Sequence, residues 1–393
     1  MKVLILNTDY PDFLDYLYGK HPGLDRERYS RQLQVRDESL FGVASFYARH
    51  LRELGHEATV IHANNGPMQA AWAREHGKSP VESGAIRKNA LHLIQKIRGR
   101  IAGTVVNKIR RIYSPLLYRL EKRNSGLYSI LATQIDFYKP DLVLNLSMDG
   151  LSSRFFQEAR AQIRLLVGQH AAPIPAGENY TCYDLVLSSL PNQVEFFRDS
   201  GLKSRLFRLA FEPSVLEQLS FEGKGEYVSF VGSLSSHHGD RIQLLEKIGK
   251  HMKLKIWTGA KTTKRSSTLA PLIQGEAWGR EMFQVLARSR MVLNHHIGIS
   301  GRYANNMRLY EATGVGTLLV TDWKENLGSM FETGKEVVAY RSPRECIELM
   351  AYYFEHPAEA EAIAKAGQRR TLREHTYRER MEEMIAIFYE EIL

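Results

Sequence analysis

The sequence predicts an α/β fold built from two successive Rossmann-like units, and three observations carry that prediction. Short apolar strand patterns alternate with helical ones along most of the 393 residues, the pattern of parallel sheets covered by helices. The chain is too long for one compact core and suits two domains. A polar, glycine-containing stretch, Ser220 to Glu226, separates two series of strands.

In the first series, Lys2 to Asn7 (KVLILN) reads as a buried strand. After a polar and aromatic stretch, Leu40, Val43, Ala44, Tyr47, Leu51 and Leu54 repeat at helical spacing. Gly55 stands where a helix C-terminus favours glycine, and Ala58 to His62 is the next strand. Asp141 to Leu146, Arg164 to Gln169 and Asp184 to Ser189 are further strands, and the unit closes near Phe211. The second series opens with Tyr227 to Gly232 (YVSFVG), a helix from Arg241 to Lys250 and the strand Leu254 to Thr258. A helix from Glu281 to Ser289 leads into Met291 to Asn294, another precedes Thr317 to Thr321, and Val337 to Tyr340 is the last strand. The expected division is a first domain over 1–215, a second over 216–375, and a C-terminal helix over 376–393 packing back on the first.

Composition narrows the class. Hydrophobic residues make up 44% and charged residues 25%, as in an ordinary soluble protein. No apolar run approaches the ~20 residues of a membrane span. The opening MKVLILNTDYPDF is too short in apolar residues for a signal peptide. Cys182 and Cys346 stand far apart, so no disulfide framework or cysteine-based zinc site is implied, and the cytoplasm is the expected compartment. The net charge is +9. Between Ile86 and Arg123, eleven Lys or Arg face a single acid, Glu121, a surplus larger than the whole chain's net charge. The basicity is therefore local, and a nucleic-acid binder is not implied. The segment carries an apolar stripe through Ile94, Ile97, Ile101, Val105, Ile109, Ile112 and Leu116. It is either a helical insertion packed on the first domain with its charges in water, or a patch for peripheral contact with an anionic surface such as the inner membrane leaflet.

The loops that follow strands are where open parallel sheets bind ligands. After YVSFV, Gly232 and Ser233 lead through small polar residues to Arg241 at the start of a helix. Backbone N–H groups, a helix N-terminus and an arginine suit a phosphate; a capped βα turn is the alternative. The strand ending in Asn294 continues through His295, His296 and Arg302 to Asn306, Arg308 and Glu311. Arg308 and Glu311 share a helix face. The carboxylate can take both ribose hydroxyls of a nucleotide, or the two residues form a surface pair worth little. Adjacent histidines rarely chelate one ion, because neighbouring side chains on a strand point apart. Thr313 to Thr317 (TGVGT) follows a helix and precedes a strand, the reverse of a dinucleotide fingerprint. No Walker-type lysine motif, His-Glu-x-x-His or Gly-x-Ser-x-Gly occurs. In the first unit, His170 ends the strand Arg164 to Gln169 and suits a sugar hydrogen bond or proton transfer, or a merely local bond. Asp149 and Asn7 to Asp9 hold comparable positions.

The order FVGSL, WTG, AWGREMFQVLARSRMVLNHH and NNMRLYEATGVGTLLVTD resembles the donor-binding domain of GT-B glycosyltransferases, nearest to the bacterial CgeB-like group. The resemblance runs from Tyr227 to Tyr340 and is most specific over Asn306 to Asp322. It implies a GT-B fold, two Rossmann-like domains facing a cleft. It places the donor ribose on Glu311, the diphosphate over Gly232 and Ser233, and the leaving charge near Arg241, Arg302 or Arg308. His170 matches the acceptor-domain histidine near the transferred sugar. Many retaining members carry a second glutamate eight residues before the first; here that position is Tyr303, which leaves the stereochemical outcome open.

The expected activity is sugar transfer from a nucleotide-diphosphate donor to a hydroxyl of a glycan, lipid, protein or small molecule. No cofactor is expected, and no metal, because the chain has no Asp-x-Asp. A sugar-nucleotide epimerase of the same architecture needs several carboxylates that the strand ends do not offer. A degenerate nucleotide-sugar-binding protein is the remaining alternative.

Overall fold

The computed structural model describes residues 1–77, 118, 126–174, 178–234, 239–259 and 268–393. The basic segment of 86–123 lies outside these residues except for Tyr118, as does the 235–238 part of the loop after YVSFVG. The chain forms two compact units. The first comprises Met1–Glu38, Gly42–Phe207 and Met381–Leu393; the second comprises Ser39–Phe41 and Arg208–Arg380.

Each unit is built on one six-stranded parallel sheet. The first holds β1 (Lys2–Asn7), β2 (Glu57–His62), β3 (Leu142–Asn145), β4 (Leu165–Gln169), β5 (Leu185–Ser188) and β6 (Ser204–Leu206), in the order β2-β1-β3-β4-β5-β6. The second holds β7 (Val228–Val231), β8 (Leu254–Trp257), β9 (Ile273–Gly275), β10 (Met291–Asn294), β11 (Leu318–Asp322) and β12 (Val338–Tyr340), in the order β12-β11-β10-β7-β8-β9. Strand direction of travel reverses between β1 and β3 in the first sheet and between β7 and β10 in the second. These are the topological switch points.

The central strands are apolar on both faces because helices cover both. Val3, Leu4, Ile5 and Leu6 of β1 are all buried, as are the four residues of β10 and the five of β11. The edge strands β6 and β9 have three residues each and are partly exposed. Their partly exposed residues form neither an apolar run nor an alternation, which explains why neither was expected. Proline opens the helices Pro11–Lys20, Pro191–Asp199, Pro343–Glu355 and Pro357–Glu374, where its missing N–H costs nothing.

The structure revises one helix. Leu40 and Val43 were expected on the same helix as Tyr47, but that helix is Ala44–Glu53. Leu40 has φ 58, Gly42 follows at φ 76, and Ser39–Phe41 belongs to the second unit. There the Ser39 carbonyl accepts from Arg280 N at 2.8 Å, and Phe41 meets Trp278 edge-on at 5.0 Å. A side chain on Gly279 would overlap the Ser39 carbonyl, so only glycine fits at that crossing.

Below the second sheet, His375 joins two segments of the unit. Its Nε2 donates to the Met330 carbonyl at 3.0 Å, its Nδ1 faces Arg380 at 3.1 Å, and its ring packs on Tyr310 and Phe331. Desolvation by burial, aided by Arg380 and Arg370, lowers its pKa to about 4. The neutral ring is therefore favoured on folding. The unfolded chain binds the proton first, so stability is constant above pH ~6.5 and falls below it. We expect this residue to cost about 2 kcal/mol between pH 7.5 and pH 5, above the range where carboxylates titrate. Urea unfolding of the chain and of His375→Gln at both pH values checks it: the variant should lose less stability on acidification than the parent. Equal losses would place the titration elsewhere.

Candidate functional site

The switch point of the second sheet collects most of the residues expected to bind the donor. β7 ends at Val231 and the chain turns through Gly232 and Ser233; β10 ends at Asn294 and the chain leaves through His295 and His296. Here β7 pairs with β10 only through Val228 and Ser229, so the terminal carbonyls of both strands lie beyond their mutual ladder.

Two arginines fill that gap. Arg241 Nη1 donates to the Ser233 carbonyl at 2.9 Å and Nη2 to the His295 carbonyl at 2.6 Å, joining the β7 and β10 loops. The guanidinium lies 5.4 Å from the Phe230 ring, and burial pulls its pKa down to about 10. Arg308 Nη2 donates to the Val231 carbonyl at 3.1 Å. Arg308 Nη1 pairs with Glu311 Oε2 at 2.7 Å, one helical turn on.

The Arg308–Glu311 pair is not on the surface. The two side chains are 13% and 7% exposed, so water screens the pair poorly and breaking it would strand a charge. Burial pushes the Glu311 carboxyl up, and the Arg308 charge opposes that rise. Only Oε2 is engaged by Arg308; Oε1 has no partner among the described residues.

Register brings the next group together. Asn294 lies opposite Thr321 on β11, and its Nδ2 donates to Thr321 Oγ1 at 2.9 Å. Asn306 Nδ2 donates to Asn294 Oδ1 at 2.7 Å, while Asn306 Oδ1 accepts from Leu309 N at 3.3 Å. The chain of amides ties the start of the helix Arg308–Gly314 to the end of β10. Arg302 is not part of this group. It is 66% exposed, lies 3.5 Å from Glu325 and stacks over Tyr303.

His170 is in the first unit, after β4, buried and edge-on to Phe197 at 6.3 Å. Desolvation lowers its pKa, which Asp149 and the Ala172 and Pro173 backbone oppose. Its Nε2 is buried without a partner among the described residues. At the first sheet's switch point, Thr8 and Ser147 join the loops after β1 and β3, with Thr8 N to Ser147 Oγ at 2.7 Å. Asp9 is held by Arg36 at 2.6 Å and His62 at 3.0 Å, which keep its carboxyl far below the usual range despite desolvation.

Sequence reasoning missed a second polar group beside β10. Asp322, the last residue of β11, accepts from His296 N at 2.9 Å and His296 Nδ1 at 2.7 Å, and Lys324 lies 3.4 Å away. Tyr340, at the end of β12, donates to the Asn294 carbonyl and meets His295 Nδ1, both at 3.0 Å. The available signal was positional: all of these stand at carboxyl ends of neighbouring parallel strands. The two histidines turn to different partners, as adjacent residues leaving a strand do.

Comparison with solved structures decides the architecture. A glycosyltransferase from Rickettsia africae ESF-5 aligns with TM-score 0.59 and 10% identity over 100% of this chain and 98% of its own. Anabaena HepE, in complex with UDP and glucose, aligns with TM-score 0.59 and 11% identity over 99% of this chain and 100% of its own. The fold is GT-B. AviGT4, a glycosyltransferase involved in avilamycin A biosynthesis, shares this GT-B fold with TM-score 0.55 and 14% identity over 100% and 98% of the two chains. Residues 241–386, most of the second GT-B unit, match a family model described as Glycosyl transferase-like. No curated protein matches the chain in sequence. Among the described residues no group of three or more His, Cys, Asp or Glu could hold a metal ion, and no helix is long and apolar enough to cross a membrane.

The bridging geometry gives Arg241 a measurable weight. Arg241→Met removes the donor from two carbonyls, each worth ~1.5 kcal/mol at the low end of the range for a charged donor. We expect ~2–3 kcal/mol of lost stability, with Arg241→Lys recovering about half because an ammonium cannot fork to both carbonyls. Denaturant midpoints measure this; a loss below ~0.5 kcal/mol for the methionine variant would remove the bridge from the argument.

Proposed function

We propose that the chain is a glycosyltransferase that moves a sugar from a nucleotide-diphosphate donor to an acceptor hydroxyl. The observation that carries the reading is the half-used Glu311 carboxylate at the second sheet's switch point. Arg308 fixes Oε2 at 2.7 Å and leaves Oε1 to accept a donor's hydroxyl. In a crevice at strand carboxyl ends, vicinal ribose hydroxyls are the donors that fit. Around the Gly232–Ser233 turn and the start of the helix Arg308–Gly314 the Gly232, Leu309, Tyr310 and Glu311 N–H groups are already bonded, and those of Ser233 and Arg308 are proposed to meet the diphosphate. The Glycosyl transferase-like match over 241–386 and the fold shared with HepE, whose structures hold UDP and UDP-glucose, support the same reading.

On this reading Arg241 acts by holding both loops in place, and Arg308 acts by orienting Glu311. Rate comes from positioning and from balancing the leaving diphosphate with fixed dipoles and side chains. His170 is proposed to take the acceptor proton. Desolvation lowers its pKa and so favours the neutral ring that a general base requires. We further propose that the reaction needs no divalent metal and no cofactor, and that the natural donor is a UDP-sugar.

UDP is the first probe. At 100 times its dissociation constant it should add ~2.7 kcal/mol to the stability of the chain. Glu311→Gln keeps shape and leaves its one oxygen for Arg308, but puts an amide NH2, a donor, where Oε1 would accept a ribose hydroxyl. It should weaken UDP binding by ~1–2 kcal/mol, roughly 5- to 30-fold. Stabilisation by UDP, GDP, CMP and dTDP, read by thermal unfolding, tests the donor. Unchanged UDP affinity in the folded glutamine variant would overturn the ribose assignment. Release of nucleotide from UDP-sugars that survives EDTA is the expected result for the metal; loss on EDTA with recovery on manganese would contradict it.

A further inference from the structure

A second concavity opens in the same unit, with a volume of about 510 Å³. Lys247, His295, Asp322, Lys324, Tyr340 and Arg341 are on its wall. Gly232, Ser233, Asn306, Arg308 and Glu311 are not. Its wall comes from the carboxyl ends of β10, β11 and β12 and from the helices Gly239–Ile248 and Pro343–Glu355.

Hydrogen-bond accounting shows what the wall offers. The Tyr340 hydroxyl gives its proton to the Asn294 carbonyl, so it accepts from His295 Nδ1. That places the His295 proton on Nδ1 and leaves Nε2 as a lone pair with no partner among the described residues. Burial, with the nearby Arg241 and Lys324 charges, lowers the His295 pKa against the pull of Asp322, which favours the neutral ring. Asp322 is already engaged: Oδ1 accepts twice from His296 and Oδ2 faces Lys324.

The remaining charge is mostly positive. Lys247 and the Arg341 guanidinium have no carboxylate partner among the described residues, and Arg341 lies 3.8 Å over the Trp323 ring, which fixes its plane. Asp240 is the one acid on the wall not already paired. The helices Gly239–Ile248 and Pro343–Glu355 both begin at this wall, adding the positive ends of two backbone dipoles. A cationic wall with one neutral acceptor suits a ligand that carries both an anion and a hydroxyl donor.

We infer that this concavity binds a phosphorylated sugar, with the phosphate on Lys247 and Arg341 and a hydroxyl donating to His295 Nε2. It is a site separate from the nucleotide crevice, and it rests on the Proposed function only for that contrast. The volume falls within the range of small-molecule sites.

Calorimetric titration of the full chain with glucose 6-phosphate, inorganic phosphate and glucose tests the site, with UDP titrated in parallel. Glucose 6-phosphate should bind saturably and more tightly than phosphate, and glucose should not bind. Lys247→Ala with Arg341→Ala should weaken glucose 6-phosphate at least about 10-fold, the loss of charged hydrogen bonds, and leave UDP within about 2-fold. His295→Phe should reduce glucose 6-phosphate to the affinity of phosphate. The altered residues of the double variant are exposed, and a thermal melt confirms that it is folded. Absence of saturable glucose 6-phosphate binding, or binding indifferent to the double variant, overturns the inference. A parallel loss of UDP affinity also overturns it, because the concavity would then belong to the nucleotide site. Glucose 6-phosphate binding that depends on Lys247 and Arg341 in a chain that does not bind UDP supports it, while removing the nucleotide reading of the crevice.

Discussion

At the switch point of the second sheet, β7 and β10 stop pairing before they end, and carbonyls at the end of β7 and in the loops that follow both strands take donors from elsewhere. Arg241 and Arg308 supply them, to Ser233, His295 and Val231. An unpaired buried carbonyl costs as much as a lost hydrogen bond, so these arginines are conditions of the local fold before they are anything else. The same two residues set the shape of the crevice. Arg241 fixes the spacing of the two loops, and Arg308 fixes which carboxylate oxygen of Glu311 is spent. The site is therefore a by-product of how the sheet satisfies its own backbone.

Much of the fold was legible because long, doubly buried strands leave an unambiguous signal. KVLILN and MVLN read directly as β1 and β10, and Gly55 marked a helix end that the structure reproduces with φ 84. The edge strands β6 and β9 were not legible, since three partly exposed residues look like loop. Nor was the Ser39–Phe41 strap. The apolar spacing of Leu40 and Val43 suits a helix, and only the tertiary contacts with Trp278 and Arg280 pull the backbone of Leu40 to positive φ. Tertiary context overrode local pattern there, as it does for any weak propensity.

The site was legible by position and not by role. Asn294, Asn306, Arg308 and Glu311 stood out because polar residues at strand ends are conspicuous. Spacing alone predicts that Arg308 and Glu311 share a face, but not that the face is buried, and burial decides whether the pair matters. Asp322 escaped notice because TLLVTD reads as a strand that simply ends in a polar turn. Its significance depends on His296 reaching it from the neighbouring strand, across a register the sequence does not display.

The buried carboxylates of the two sheets separate by how completely they are used. Asp9 has Arg36 and Asn7 on Oδ1 and His62 on Oδ2. Asp322 has two bonds from His296 on one oxygen and Lys324 near the other. Both acids have carboxyls held far below the usual range, the expected result when each oxygen meets a donor or a cation. Glu311 is the exception. It has one cation on one oxygen, its carboxyl is pushed up, and its second oxygen is unspent. A saturated carboxylate can only hold structure, because a ligand would have to displace a bond already made. A half-saturated one, held rigid by its partner, gains a bond when a ligand arrives and loses nothing. That asymmetry, more than its place in a sequence pattern, is the physical reason for proposing Glu311 as the residue that meets the donor.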